Sequence, residues 1–296
     1  MRLVSFSAPG DVLELPVRGA RTGVLAGDEV VDLTDSEVGL PRDMCALLAA
    51  GDEAFARAAG ASSSSARRFA LEEIELLAPV PAPAKVLAIG MNYRKHVEEL
   101  GRPVPENQVW FNKQRTCVIG PGQGIEIPMV SEAVDYEGEL ALVIARRCRY
   151  VEKSQAAHVV AGFTIMNDVS VRDWQWRTPT WTMGKSFDTH GPLGPWIVTT
   201  DEVPDPQALA LRTWVNDELR QEDSTADMIF NCWEMIEHLT TAFTLEPGDV
   251  ISTGTPAGVG AGFDPPKWLR PGDVVRIEID GLGSLENTVV EEPRRM

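Results

Sequence analysis

The sequence predicts a β-rich α+β fold in two parts, on three observations. After Lys85 most apolar segments are short and alternate, as half-buried strands do. Only one stretch there, Thr225 to Phe243, keeps helical periodicity over several turns. Residues 79–85, Pro-Val-Pro-Ala-Pro-Ala-Lys, carry three prolines in seven positions and read as a boundary. They divide a small unit at 1–78 from a larger domain at 79–296.

In the small unit, MRLVSFS, TGVLAGDEVVDLT and LEEIELLAPV are strand candidates separated by Pro-Gly and Gly-Asp turn signals. Asp43 to Ala59, rich in Ala and Leu with Arg and Glu at polar positions, predicts a helix that Gly60 ends. Beyond the boundary, Lys85–Gly90 reads as a buried strand and Tyr93–Leu100 as a short helix stopped by Gly101. Val134–Ile144 and Gly162–Val171 alternate as strands. Glu246-Pro247-Gly248-Asp249 before VIST and Arg270-Pro271-Gly272-Asp273 before VVRIEID repeat one device, a type II turn feeding a strand. The helix from Thr225 to Phe243 has Ser224 as its cap and puts Ile229, Cys232, Ile236, Leu239 and Phe243 on one face.

The 296 residues hold 44 Asp and Glu against 27 Lys and Arg, a formal charge of −17. An acid excess of this size argues against nucleic acid and against an anionic membrane surface as partners. No apolar run approaches the roughly 18 residues of a spanning helix. The first fifteen residues lack the basic and apolar regions of a signal peptide, so a cytoplasmic protein is expected. Cys45, Cys117, Cys148 and Cys232 are scattered and form no CxxC pair, which reads by default as buried thiols. One option remains for so acidic a chain: some carboxylates hold a cation.

The sharpest chemical feature is Asp135-Tyr136-Glu137-Gly138-Glu139-Leu140-Ala141-Leu142-Val143-Ile144. On a strand Glu137 and Glu139 project side by side, about 7 Å apart at Cα, on the face that Ala141 and Val143 continue. Inward carboxylates repel and lose hydration, and a hard divalent cation relieves both costs. A solvated strand end is the open alternative. In FTIMNDVSVRDWQ, Asp168 interrupts an apolar run, with Arg172 and Gln175 following. Asp168 is either a turn residue or a third oxygen ligand, with water and substrate filling an octahedral Mg²⁺ or Mn²⁺ shell. In GMNYRKHVEE, His96 and Glu99 are helical i, i+3 neighbours. A carboxylate beside imidazole suits a general base, although such surface pairs are more often innocent. Lys185 lies in TMGKSFDTHGPLGP before a turn-rich stretch. The glycines of TGTPAGVGAG, residues 253–262, let backbone N–H groups approach a ligand, but the loop matches no phosphate motif.

Taken together, GMNYRKHVEE, DYEGELALVI, NDVSVRDWQ, GKSFDTHGPLGP and GDVISTGTPAGVG resemble the fumarylacetoacetate hydrolase family, in the family's order, over about residues 80–292. The resemblance implies a mixed β-roll catalytic domain behind a small N-terminal domain, in a homodimer. It implies Glu137, Glu139 and Asp168 as ligands of Mg²⁺ or Mn²⁺, His96 and Glu99 as a water-activating pair on a closing segment, and Lys185 as the group that stabilises or protonates an enolate. Arg172, Gln175 and Thr255 match positions near metal or substrate. Acylpyruvate hydrolases of the family tend to carry Lys-Pro after the phenylalanine of the substrate strand, whereas this chain reads Phe111-Asn112-Lys113-Gln114-Arg115-Thr116. That departure puts Gln114 and Arg115 at the pocket rim, where Arg115 suits a second carboxylate or a sugar-acid chain, or is a surface residue.

Lys113, Arg115, Arg172 and Lys185 fall in or beside these motifs, which suits a small anionic keto-acid substrate in an otherwise acidic protein. The expected reaction is metal-assisted hydrolysis of a carbon–carbon bond in a 2,4-diketo acid. The alternatives are a 2-keto acid decarboxylase, isomerase or hydratase on the same site, and a non-catalytic keto-acid binding protein.

Overall fold

A computed structural model describes residues 1–12 and 19–293; residues 13–15 of the opening stretch lie outside that range. Among the described residues, twelve strands form one sheet. Its spatial order runs Arg68–Ala70, Glu29–Asp32, Arg21–Ala26, Arg2–Ser7, Gly191–Thr199, Val160–Asn167, Gly138–Ile144, Val250–Ser252, Val86–Gly90 and Val109–Lys113. Glu75–Leu77 and Val118–Ile119 pair alongside Arg2–Ser7 and Gly191–Thr199. The N-terminal strands are part of this sheet, because Arg2 and Leu3 pair antiparallel with Val198 and Ile197. Strands from both sides of the boundary expected at residue 79 thus share this sheet. Five further strands form a second sheet, and Val134–Asp135 pairs with Ser170–Val171 beside the site.

Alternation sorts the central strand Gly138–Ile144. Leu140, Leu142 and Ile144 enter an apolar cluster with Val275, Ile277 and Ile279 of the second sheet. Ala141 and Val143 enter a different cluster with Leu47 and Leu48 of the N-terminal part. Each fully buried Leu or Ile contributes roughly 1.5–3 kcal/mol. A slip of one residue would exchange the two sets and turn Glu139 to the opposite face. The pairing of Glu139 with Met166 and of Ala141 with Ser252 is thus held by the apolar positions.

Local chemistry accounts for several expected elements. Arg94–Glu99 is helical and Gly101, at φ +61°, follows its end. In both Pro-Gly turns the Asp closes a ring twice. Asp249 N donates to Glu246 O at 3.0 Å and Glu246 N to Asp249 Oδ2 at 2.8 Å. Asp273 and Arg270 repeat this at 3.0 and 2.8 Å, and Gly248 and Gly272 take the left-handed φ of +86° and +95°.

Three expectations need correction. The helix at 43–59 is two, Met44–Ala49 and Gly51–Gly60, because Gly51 at φ +77° turns the chain between them. The helix expected from Thr225 is a single 3₁₀ turn, Thr225–Asp227, followed by the helix Cys232–Ala242. Between them Ile229 N and Phe230 N donate to Asn92 O and Oδ1, at 2.7 and 2.9 Å, which diverts the backbone from helical bonding. Asn231 and Glu234 then form the capping box. Lastly, Val134–Ile144 is broken at Tyr136 and Glu137. All four cysteines are free thiols, with Cys45 and Cys148 only half-buried. Among the described residues no helix is long and apolar enough to cross a membrane.

Candidate active site

The break in that strand positions the first carboxylate. Glu137 lies at the bend, Glu139 on the strand after it, and Asp168 at the turn that follows Val160–Asn167. Asp168 N donates to Glu137 O at 2.9 Å, and Glu137 N to Asn167 Oδ1 at 3.0 Å, so the strand ends are tied together. One carboxylate oxygen from each of Glu137, Glu139 and Asp168 lies within 4.8 Å of the others, and all three residues are buried. Ser252 Oγ and Gly254 N donate to Glu139 Oε2 at 2.5 and 2.8 Å and fix its orientation. Burial, then repulsion from Asp168 and Glu137, pushes the Glu139 carboxyl well above the ordinary range. Glu137 is also opposed by burial, yet Lys185, Arg172 and His96 hold it low. The donor set is all oxygen, and among the described residues Glu139 has no cationic side chain within ion-pair distance, which fits a hard divalent cation.

Cationic side chains surround this cluster. Lys185 ends the helical turn Thr182–Lys185, and its Nζ donates to Glu137 Oε2 and Asp168 Oδ2 at 2.6 and 2.8 Å. The turn sits tightly on its neighbour: a Cβ on Gly184 would lie 2.3 Å from Gln175 N. Burial opposes the Lys185 charge, but Asp168 and Glu137 outweigh it and hold the ammonium above the ordinary lysine range. Arg172 Nη1 lies 2.6 Å from Glu137 Oε1, and its Nε donates to Asp135 Oδ2 at 2.8 Å. Asp135 also accepts from Gly260 N at 2.7 Å and Ala261 N at 3.0 Å. Asp135 stands out only in the structure, although its place two residues before Glu137 makes it a third alternating acid.

His96 Nδ1 and Glu99 Oε2 are 2.9 Å apart. Gly258 N donates to Glu99 Oε1 at 2.9 Å, and a Cβ on Gly262 would lie 2.3 Å from that oxygen. The glycine-rich stretch 253–262 therefore seats Glu99 and Asp135 with its amides, at residues 258, 260 and 261.

A cavity of about 970 Å³ opens above these groups. His96, Glu137, Glu139, Arg172, Gln175, Lys185 and Thr255 line it, with Glu99 and Asp168 behind. Gln175 Oε1 accepts from Arg172 Nη1 at 3.0 Å. Thr255 Oγ1 donates to Gly138 O at 2.9 Å and accepts from Gln221 Nε2 at 2.8 Å, which ties its loop to the ligand strand. Two expected contacts do not form. Lys113 is fully buried beneath the cavity, where Nζ donates to Asp168 Oδ1 at 2.6 Å and to the Lys185 carbonyl. Arg115, with Gln114 beside it, is exposed at the turn Arg115–Cys117 and away from the cavity wall, because that turn carries the chain outward past the strand end.

Residues 85–290 match the family described as fumarylacetoacetate (FAA) hydrolase, C-terminal. The chain belongs to that family and is an enzyme of it. A mitochondrial oxaloacetate tautomerase of Bos taurus is 42% identical over 292 residues, covering 98% of this chain and 92% of the relative. Among solved structures, maleylpyruvate hydrolase from Sphingobium sp. SYK-6, in complex with manganese(II) and pyruvate, superposes with TM-score 0.82 at 33% identity, covering 99% of this chain and 100% of the other. The 5-carboxymethyl-2-hydroxymuconate delta-isomerase of Mycobacterium smegmatis gives 0.78 at 34%, with the same coverage. Hydrolase, isomerase and tautomerase chemistry thus occur on closely similar chains.

Proposed function

We propose that the protein is a divalent-metal-dependent hydrolase that cleaves a carbon–carbon bond in a 2,4-dioxo acid of the acylpyruvate type, with Mg²⁺ or Mn²⁺ at Glu137, Glu139 and Asp168. One observation carries this reading: His96, held by the half-buried Glu99, lines the same cavity as Glu137 and Glu139 of the carboxylate cluster. A bound cation would supply Lewis-acid polarisation of the 2-oxo acid and positive charge opposite a developing enolate.

The chain's own groups do the rest. With Nδ1 held by Glu99, His96 has Nε2 available to take a proton from water. The hydroxide so formed attacks the carbonyl distal to the carboxylate. Cleavage leaves its electron pair on the pyruvate half as an enolate, and Lys185, kept charged by its carboxylate neighbours, returns a proton to that carbon. Arg172 and Gln175 add hydrogen-bond donors for the substrate carboxylate at the cavity wall.

A second reading, keto–enol tautomerisation of oxaloacetate, is favoured by the full-length likeness to the bovine tautomerase. It uses the enolate and needs no water attack. Acylpyruvates and oxaloacetate, assayed with Mn²⁺ and with EDTA, separate the two. The proposal expects EDTA-sensitive release of pyruvate from acylpyruvates, abolished in His96→Ala/Glu99→Ala. Acylpyruvate cleavage that survives the double change would overturn water activation by this pair. Accelerated oxaloacetate enol decay without cleavage of any dioxo acid would establish the tautomerase instead.

A further inference from the structure

One wall of the cavity is built with unusual care. Trp181 lines it with a left-handed backbone, φ +59°, which a bulky side chain adopts only where its surroundings over-determine it. Two contacts do so. The indole lies directly on Gly90, where a Cβ would stand 2.3 Å from Trp181 Cζ3. Phe111 meets it edge to face, with centroids 5.7 Å apart at 64°. Among the described residues, neither ring belongs to the apolar clusters on the two faces of the central strand. Both rings line the cavity instead, Phe111 buried and Trp181 half-buried.

The pair is registered to the reacting groups. Lys185 N donates to Trp181 O at 3.1 Å, so the indole and the lysine stand one helical turn apart, about 6 Å along the axis. Lys185 Nζ itself lies 5.0 Å over the Phe111 ring. An acid held beside Lys185 thus brings its distal substituent within reach of the two rings. At about 970 Å³ the cavity is far larger than a four-carbon acid requires.

We propose that Trp181 and Phe111 form an aromatic shelf that selects 2,4-dioxo acids whose distal carbonyl bears an aryl group, an inference that rests on the 2,4-dioxo acid reading above. The ring of the aroyl group stacks on the indole, whose own place is made by the missing side chain of Gly90.

The test compares benzoylpyruvate with acetylpyruvate on the full-length, Mn²⁺-loaded protein, by kcat/KM and by calorimetric Kd. The shelf predicts at least a tenfold preference for benzoylpyruvate in both. Trp181→Ala should bring the ratio close to one, and Trp181→Phe should keep most of it. Gly90→Ala, which displaces the indole without removing it, should also lower the ratio and serves if Trp181→Ala fails to fold. Tighter benzoylpyruvate binding that Trp181→Ala erases, with neither acid cleaved, would overturn the hydrolase and leave the shelf standing. Equal treatment of the two acids, or a preference that no variant changes, would overturn the shelf.

Discussion

Asp135 shows how much of the site hangs on single residues. Its carboxylate joins the Arg172 guanidinium to the amides of Gly260 and Ala261, while Arg172 reaches Glu137 on its other side. Asp135→Asn keeps the shape but leaves a buried guanidinium half-paired, which typically costs about 3–5 kcal/mol. The expected outcome is a lower denaturant midpoint together with a 10–100-fold loss of Mn²⁺ affinity or activity, as for other residues that orient metal ligands. An unchanged midpoint and an unchanged Mn²⁺ affinity would contradict this role. Of the three ligand candidates, alternation puts Glu139 on the face of Ala141 and Val143; Glu137 joins it from the break in the strand, and residue pattern alone left Asp168 open between a turn residue and a ligand. The place of Lys113 was not legible in the sequence, since its partner Asp168 lies 55 residues away and only the tertiary fold brings the two together. The exposure of Arg115 is likewise set by the direction of a turn, which residue type does not encode.

Elements set by local chemistry were readable, and those set by distant partners were not. Both Pro-Gly-Asp turns formed as expected, because the glycine φ and the aspartate side chain act within four residues. The start of the helix Cys232–Ala242 was misplaced, because Asn92, far off in sequence, takes the two N–H groups that would have extended it. Asn231 now accepts from Trp233 N and Glu234 N at 3.0 and 3.1 Å, and Glu234 Oε2 accepts from Asn231 N at 2.9 Å. Asn231→Ala should therefore destabilise the protein by about 1 kcal/mol, measured as a fall in Tm. A Tm equal to that of the unsubstituted chain would mean that the capping box carries no stability.

For the whole molecule, acid stability has a built-in dependence on His190. Burial, against a hydrogen bond to the Glu126 carbonyl, lowers this imidazole from 6.5 to about 4. Between those values the unfolded chain binds a proton that the folded one refuses. Stability contributed by the neutral ring is thus intact above pH 6.5, falls as pH drops toward 4 and levels off below it, to a total of about 3 kcal/mol. His190→Asn should flatten this part of the acid limb in urea melts, whereas an unaltered slope would show that His190 does not set it. The net charge of −17 says little about the ligand, because the cavity pairs its carboxylates with Arg172 and Lys185. What matters there is the local charge, which the proposed divalent cation at Glu137, Glu139 and Asp168 completes. Calorimetric titration of Mn²⁺ into the metal-free chain and into Glu139→Gln tests that site. It predicts one ion per chain, and an affinity at least tenfold weaker in Glu139→Gln. Identical binding by the two proteins, or none by either, would contradict it.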